Sequence, residues 1–335
     1  MEGFTWRDGE RTIRFRDGSL NAAPELLAEH GWNGFELLST PRALSCAPDG
    51  LRSAATEVHE VAPGPVPEAA ARIMGSGAKS NLLVAFGGGR VIDSAKAIAA
   101  VTGATVCAIP TTLSGAEMTA IHRLPAGREA EARSLVRPAL VLADPLAMTS
   151  QPEPELRASA MNALAHGADS LYTPFANPVA GMAALRGAEL IAAALDTDRE
   201  EREPAGLGLG SLLGAYALDS ALFALHHVLC QTLVRVVGTP HAETNAAMLP
   251  RTIEAVRPRA PGPIAELAAA LGTDSGEIGA RIEELGGGRR RLSELGADGD
   301  RLEQALDAAA ARPELGFTPD PPDRAELAEI VEAAW

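Results

Sequence analysis

Hydrophobic and polar positions follow two different rhythms along this chain. Up to about residue 150, short apolar runs end at Gly, Pro or Thr and give way to helix-like stretches. WNGFELLST (32–40), NLLVAF (81–86), TVCAIPTT (105–112) and PALVLADP (138–145) are such runs. Between them, VPEAAARIMGSGA and VIDSAKAIAAVTG read as helices, the second closed by Gly103. Strands alternating with helices predict βαβ units and a parallel sheet. From Glu153 onward the strand signals fade. PELRASAMNALAHGADSLY places apolar residues at 156, 161, 164, 165, 168, 171 and 172, the spacing of one helix face. VAGMAALRGAELIAAAL, the long LGLGSLLGAYALDSALFALHHVLCQTLVRVV, PIAELAAALG and RLEQALDAAAA predict further helices, with 284–300 a loop between helices. The boundary falls near DPLAMTSQ, so the expectation is an α/β domain over 1–150 and an all-helical domain over 151–335.

Composition narrows the function classes. With 335 residues, 46% hydrophobic and 22% charged, the chain can bury a substantial core. Its net charge of -15 argues against nucleic acid, which needs a basic face. Cys46, Cys107 and Cys230 are scattered, with no disulfide or thiol-metal spacing, so a reducing cytoplasm is expected. The N-terminal MEGFTWRDGERTIRFRDG is charged from its second residue and is not expected to act as a secretory signal. The uncharged stretch Ala205–Leu218 is too short for a bilayer and reads as a buried helix, and no membrane partner is expected.

Four stretches carry candidate chemistry. In FGGGRVIDSAK, Gly87, Gly88 and Gly89 link an apolar run to a helix N-terminus, where free backbone N–H groups suit a pyrophosphate. The spacing is neither that of the dinucleotide fingerprint nor a P-loop, and a ligand-free tight turn reads equally well. In IPTTLSGAEMT, Thr111, Thr112 and Ser114 place hydroxyls at another strand end, as ligand contacts or as a helix cap. In MNALAHGADSLY, Asn162 and His166 share a helix face, and Asp169 follows as a carboxylate able to fix a histidine tautomer. In HHVLCQTLVRVVGTPHAET, His227 and Gln231 are again one turn apart, and His241 follows a Gly-Thr-Pro turn.

Taken in order, these stretches resemble the iron-containing (group III) alcohol dehydrogenase family, and within it the maleylacetate reductases, over almost the whole chain. GGGRVIDSAK is similar to the family's GGGSxxDxAK motif, which makes Asp93 and Lys96 candidate cofactor residues beside the glycines. IPTTLSGAEMT resembles PTTxxGSE, and LHHVLCQTLVRVVGTPHAETNAAMLP resembles the long reductase segment around the histidines. The resemblance implies a dehydroquinate synthase-like fold: a dinucleotide-binding α/β domain, an all-helical second domain and a cleft between them. It also implies a homodimer and NADH or NADPH as cofactor. The adenosine end would involve the Ser39-Thr40-Pro41 turn, which has no acidic residue to reject a 2′-phosphate, with Arg42 nearby. The implied reaction is NAD(P)H-dependent reduction of maleylacetate to 3-oxoadipate, late in aromatic catabolism.

The chain departs from the pattern in three ways. Metal-dependent relatives hold iron or zinc with one Asp and three His, and the corresponding positions here are Asn162, His166, Gln231 and His241. Amides are poor ligands for a catalytic divalent ion, so no metal is expected, and His166, His227 and His241, with Asn162, become the candidates for proton donation and hydrogen bonding. Arginine is gained at Arg90, Arg123 and Arg235, candidates with Gln231 for holding an anionic substrate or a cofactor phosphate, or else solvated surface cations. Residues 124–136 lack the lysine-containing stretch expected in reductases. Two functional readings follow. One is a metal-independent NAD(P)H oxidoreductase acting on maleylacetate or a related unsaturated oxo-dicarboxylate. The other is a family member turned to a non-redox step such as proton transfer, dehydration or cyclisation; a silent partner-stabilising subunit is a third.

Overall fold

The structure, a computed structural model, describes residues 4–131 and 135–335. Residues 1–3, and 132–134 within the divergent 124–136 stretch, lie outside the described residues. The chain divides into two compact units, Met1–Ser150 and Gln151–Trp335.

The first unit is built on a seven-stranded sheet. Its strands are β1 (Phe4–Asp8), β2 (Arg11–Phe15), β3 (Glu36–Ser39), β4 (Glu57–Glu60), β5 (Leu82–Gly87), β6 (Thr105–Pro110) and β7 (Leu140–Ala143). The spatial order is β1-β2-β7-β6-β5-β3-β4, with β1 antiparallel to β2 and every other pair parallel. Helices α1 (Ala23–Glu29), α2 (Pro41–Leu44), α3 (Asp49–Ala54), α4 (Val66–Gly75), α5 (Gly89–Thr102) and α6 (Pro145–Met148) complete the unit. The central strands are apolar throughout because both faces are covered. Leu83, Ala85, Val106 and Ala108 face α4 and α5, while Val84, Phe86, Cys107 and Ile109 join a second core with Leu26, Leu27 and Trp32. Strands β1 and β4 lie at the sheet edges, β2 stands between β1 and β7, and none of the three reads as an apolar run. RTIRF carries charges at Arg11 and Arg14, and the edge strand EVHE carries them at Glu57 and Glu60, which breaks up any apolar run.

The strand order has one functional consequence. β4 lies on one side of β3, whereas β5, β6 and β7 extend on the other. The connection therefore reverses direction between β3 and β5, and open α/β sheets bind ligands beyond the carboxyl ends of the strands at such a reversal. The glycine turn after β5 and the Ser39-Thr40 turn after β3 both stand there.

In the second unit the described residues form helices α7 (Glu153–Ser170), α8 (Pro178–Leu195), α9 (Pro204–Ala221), α10 (Leu225–Val236), α11 (His241–Val256), α12 (Pro261–Ala270), α13 (Ile278–Leu285), α14 (Leu302–Ala310) and α15 (Arg324–Ala334). Short 3₁₀ turns at Leu292–Leu295 and Gly299–Arg301 structure part of what the sequence reads as a plain loop, and a third spans Pro313–Phe317. Two further expectations change. The predicted one-faced helix is α7, and it is buried all round from Ala158 to Ser170, because α8, α9, α10, α11 and α13 surround it. Glycines let the backbones touch: a Cβ on Gly214 of α9 would lie 2.6 Å from the Ala163 carbonyl of α7. The long predicted helix over 207–237 is also two helices. α9 and α10 meet at 101°, with Leu222 at φ 61, a left-handed backbone that a non-glycine residue adopts only under constraint.

Candidate active site

The carboxyl edge of the first unit brings together the glycine turn and the hydroxyl stretch. Gly87 pairs in register with Pro110, and the Thr111 N–H donates to the Gly87 carbonyl at 3.1 Å. Gly88 caps α5 and Gly89 begins it. A Cβ on Gly88 would stand 3.0 Å from Thr112 Cγ2, and one on Gly89 2.9 Å from Ser114 Cβ. The glycines are thus required by close packing of two neighbouring turns, and the half-buried Thr111, Thr112 and Ser114 line the result. Two other expected cofactor contacts, Lys96 and Ser39, turn inward. Lys96 is fully buried and donates to Asp93 Oδ1 (2.8 Å), the Ala116 carbonyl (3.0 Å), Thr119 Oγ1 (3.5 Å) and the Ile121 carbonyl (2.7 Å). Ser39 is fully buried and its hydroxyl donates to the Phe86 carbonyl at 2.7 Å. Lys96 and Ser39, expected as cofactor contacts, spend their polar atoms on this chain, whereas the Asp93 carboxylate that pairs with Lys96 stays 31% exposed.

In the second unit three of the four histidines of the helical motifs, His166, His226 and His227, form one cluster, while His241 is exposed. His166 on α7 stacks on His227 of α10 with ring centroids 5.1 Å apart, and His226 meets His227 edge-on at 5.1 Å. Asp169 organises the group. Its carboxylate accepts from the N–H groups of Ala224 (3.1 Å), His226 (3.4 Å) and His227 (3.1 Å), from His227 Nδ1 (2.8 Å) and from the Tyr172 hydroxyl. Three of these are backbone donors at the start of α10, which no intrahelical carbonyl can satisfy, so Asp169 caps that helix from outside. Burial opposes its charge, but the bond to His227, the His227 and His226 imidazoles and the Tyr172 hydroxyl outweigh it and hold the carboxyl below the usual range.

The carboxylate that the sequence places beside His166 therefore serves His227, fixing its Nδ1–H tautomer. His227 Nε2, His166 Nδ1 and Asn162 Oδ1 are buried without a hydrogen-bond partner among the described residues. Asn162 Nδ2 faces His166 Nε2 at 3.5 Å. Burial, followed by the fields of His227, His241 and His226, pushes His166 well below the ordinary imidazole value, so it stays neutral. His226 is pushed down to about 3, chiefly by burial. Both its nitrogens are engaged, Nδ1 with Thr252 Oγ1 at 2.9 Å and Nε2 with Asn245 Oδ1 at 2.8 Å, so it locks α10 to α11.

With this geometry in place, sequence comparison decides the family. Residues 10–145 match the iron-containing alcohol dehydrogenase family, and residues 157–335 match the Fe-containing alcohol dehydrogenase family, C-terminal. The chain belongs to the iron-containing alcohol dehydrogenase family. It is 30% identical to the maleylacetate reductase of Rhizobium sp. (strain MTP-10005), covering 100% of this chain and 98% of that protein. It is 32% identical to maleylacetate reductase 1 of Rhodococcus opacus over 77% of this chain and 73% of that one. Among solved structures, the maleylacetate reductase of Agrobacterium tumefaciens superimposes with a TM-score of 0.83 at 30% identity, covering 100% and 99% of the two chains. As a member of this alcohol dehydrogenase family the protein is an NAD(P)H-dependent oxidoreductase, with the family's dehydroquinate synthase-like fold.

Of the positions that the resemblance aligns with the alcohol dehydrogenase metal ligands, His166 lies in the stacked cluster and His241 begins α11, close enough to act electrostatically on both His166 and His226. Gln231 has a different partner. Its Oε1 accepts from Arg312 Nη1 at 2.9 Å. The Arg312 guanidinium lies 5.6 Å from the Phe223 ring centroid, and that ring lies 5.8 Å from His227. Neither Arg312 nor Phe223 is visible as a site residue in the sequence. Arg312 falls beyond the recognisable motifs, 81 positions from Gln231, and Phe223 sits in an unremarkable apolar run. The gained arginines are all exposed: Arg90 in the first turn of α5, Arg123 in a loop of the first unit and Arg235 on α10.

Proposed function

We propose that the protein reduces maleylacetate or a related unsaturated oxo-dicarboxylate with NADH or NADPH, and that it does so without a catalytic metal. The observation that carries this reading is the Asp169–His227 pair with Nε2 left bare beside His166. When bound, reduced nicotinamide supplies a hydride. The side chains of this chain must then steady the charge developing on the substrate oxygen and deliver one proton. His227 can deliver that proton from Nε2 only in its doubly protonated form; Asp169, at 2.8 Å from Nδ1, would balance that charge and keep the Nδ1–H once the Nε2 proton has left. Neutral His166, stacked on it, suits hydrogen bonding rather than acid catalysis. A divalent ion does not suit the donor set: Asn162 and Gln231 contribute neutral amides, and the Gln231 oxygen is already bonded to a cation. For the cofactor, the Gly87–Gly89 turn beside the strand-order reversal supports dinucleotide binding through backbone groups.

The test is NADH and NADPH oxidation by purified protein with maleylacetate, in chelator and after metal analysis. Turnover that survives chelation supports the reading, and loss of activity restored by iron or zinc overturns the metal-independent half. Tight dinucleotide binding with no oxidation by any unsaturated oxo acid would instead move the protein to the non-redox alternative.

A further inference from the structure

The Gln231 position carries a second chemistry that the sequence conceals. The Arg312 guanidinium carbon lies over the Phe223 ring, 5.6 Å from its centroid, within cation–π range. Its Nε and Nη2 face the two oxygens of Glu314, both at 3.2 Å, and Nη1 donates to Gln231 at 2.9 Å. The contacts to Glu314 are long for charge-assisted bonds, which usually close to about 2.7–2.9 Å. A guanidinium has five N–H donors, and these contacts leave one on each terminal nitrogen. A planar guanidinium with donors to spare suits a planar carboxylate. The side chain is 14% exposed, so a small anion can reach it while bulk water is largely shut out. Arg235, one turn beyond Gln231 on α10, acts on the same Glu314 carboxylate and adds positive field to the locality.

We propose that Arg312 is a carboxylate-recognition residue, binding one end of a dicarboxylate whose reacting portion lies toward His227. The Phe223 ring, in contact range of both the guanidinium and the imidazole, sets their separation. This rests on the dicarboxylate-reductase reading above. A purely structural role, tethering the Pro313–Phe317 turn to α10, is the competing account.

The experiment compares adipate with monomethyl adipate by calorimetry on the full chain, using the wild type, Arg312→Gln, Arg312→Lys and Glu314→Gln, with melting temperatures recorded. The wild type should bind the diacid at least tenfold more tightly than the monoester. R312Q should erase that preference and R312K should keep part of it. E314Q should tighten adipate binding about two- to fivefold by removing the internal competitor. A wild type that does not distinguish diacid from monoester, or an R312Q protein that melts lower but keeps the ratio, overturns the proposal. Diacid preference without hydride transfer to maleylacetate would sink the redox reading and leave this one standing. Maleylacetate turnover unchanged in R312Q would do the reverse.

Discussion

Lys96 and His227 both sit buried in motifs shared with the family, yet they face opposite ways. The Lys96 ammonium is surrounded by four acceptors of its own chain, all within the first unit. His227 has one nitrogen bonded and the other bare. The contrast extends to their neighbours. At the glycine edge, Ser39 and Lys96 bond to backbone carbonyls beneath the half-buried Thr111, Thr112 and Ser114. In the helical unit the side chains themselves present unsatisfied atoms. A motif residue can therefore matter for opposite reasons, and only its hydrogen-bond partners tell which.

Substitutions can break this contrast. The largest effect is expected for His227→Gln, which should lower kcat by about 10²–10⁴-fold while the dissociation constant for NAD(P)H stays within a factor of two. A matching loss of cofactor affinity would mean that His227 is not confined to the chemical step. Lys96→Met should do the reverse. Removing a fully buried ammonium from its acceptors should cost about 3 kcal/mol in urea unfolding, and folded protein at low temperature should bind the dinucleotide normally. Normal stability with lost binding would return Lys96 to the cofactor site.

Next comes Glu117, fully buried beneath the same edge with neither carboxylate oxygen hydrogen-bonded among the described residues. Burial pushes its carboxyl up to about 7 from an ordinary 4.5. The folded state therefore holds a proton that the unfolded chain releases. The stability linked to it is fully present below about pH 4.5 and is lost as pH rises through 7. Glu117→Gln should match the wild type near pH 5 and exceed it by roughly 2 kcal/mol at pH 8 in denaturant melts, the sign expected when a charge no longer has to be buried. A constant difference across that range would refute the assignment. The smallest effect is expected at Arg90. Exposed in the first turn of α5, it should change dinucleotide affinity less than threefold on Arg90→Ser, measured by fluorescence titration. A tenfold loss would make it a phosphate contact.

The parts of the fold legible in the sequence were those where local pattern and tertiary role agree. β3, β5, β6 and β7 are covered on both faces and read as apolar runs, and Gly103 ends α5 in a left-handed turn at φ 77. β1, β2 and β4 were hidden by their charged residues. The break between α9 and α10 was hidden because DSALFALHH has no Gly or Pro; a distant carboxylate, not a local breaker, starts the new helix at Leu225. The site was legible to the same degree. Asn162, His166, His227, Gln231 and His241 were within reach of motif reasoning. The pairing of Asp169 with His227 across 58 positions, and of Arg312 with Gln231 across 81, depends on chain path and leaves no periodic trace.

The cap that Asp169 places on α10 also bears on how the histidine cluster comes into being. The helix start and its capping carboxylate are separated in the chain by all of α8 and α9. Until that hairpin has closed and brought the end of α7 to residue 224, α10 lacks its nucleating anion and the His227 ring has nothing to orient it. Competence should consequently arrive in a single late step of folding. Refolding followed by activity should lag behind refolding followed by helix content, and a chain nicked between α8 and α9 should lose its chemistry before it loses its helices.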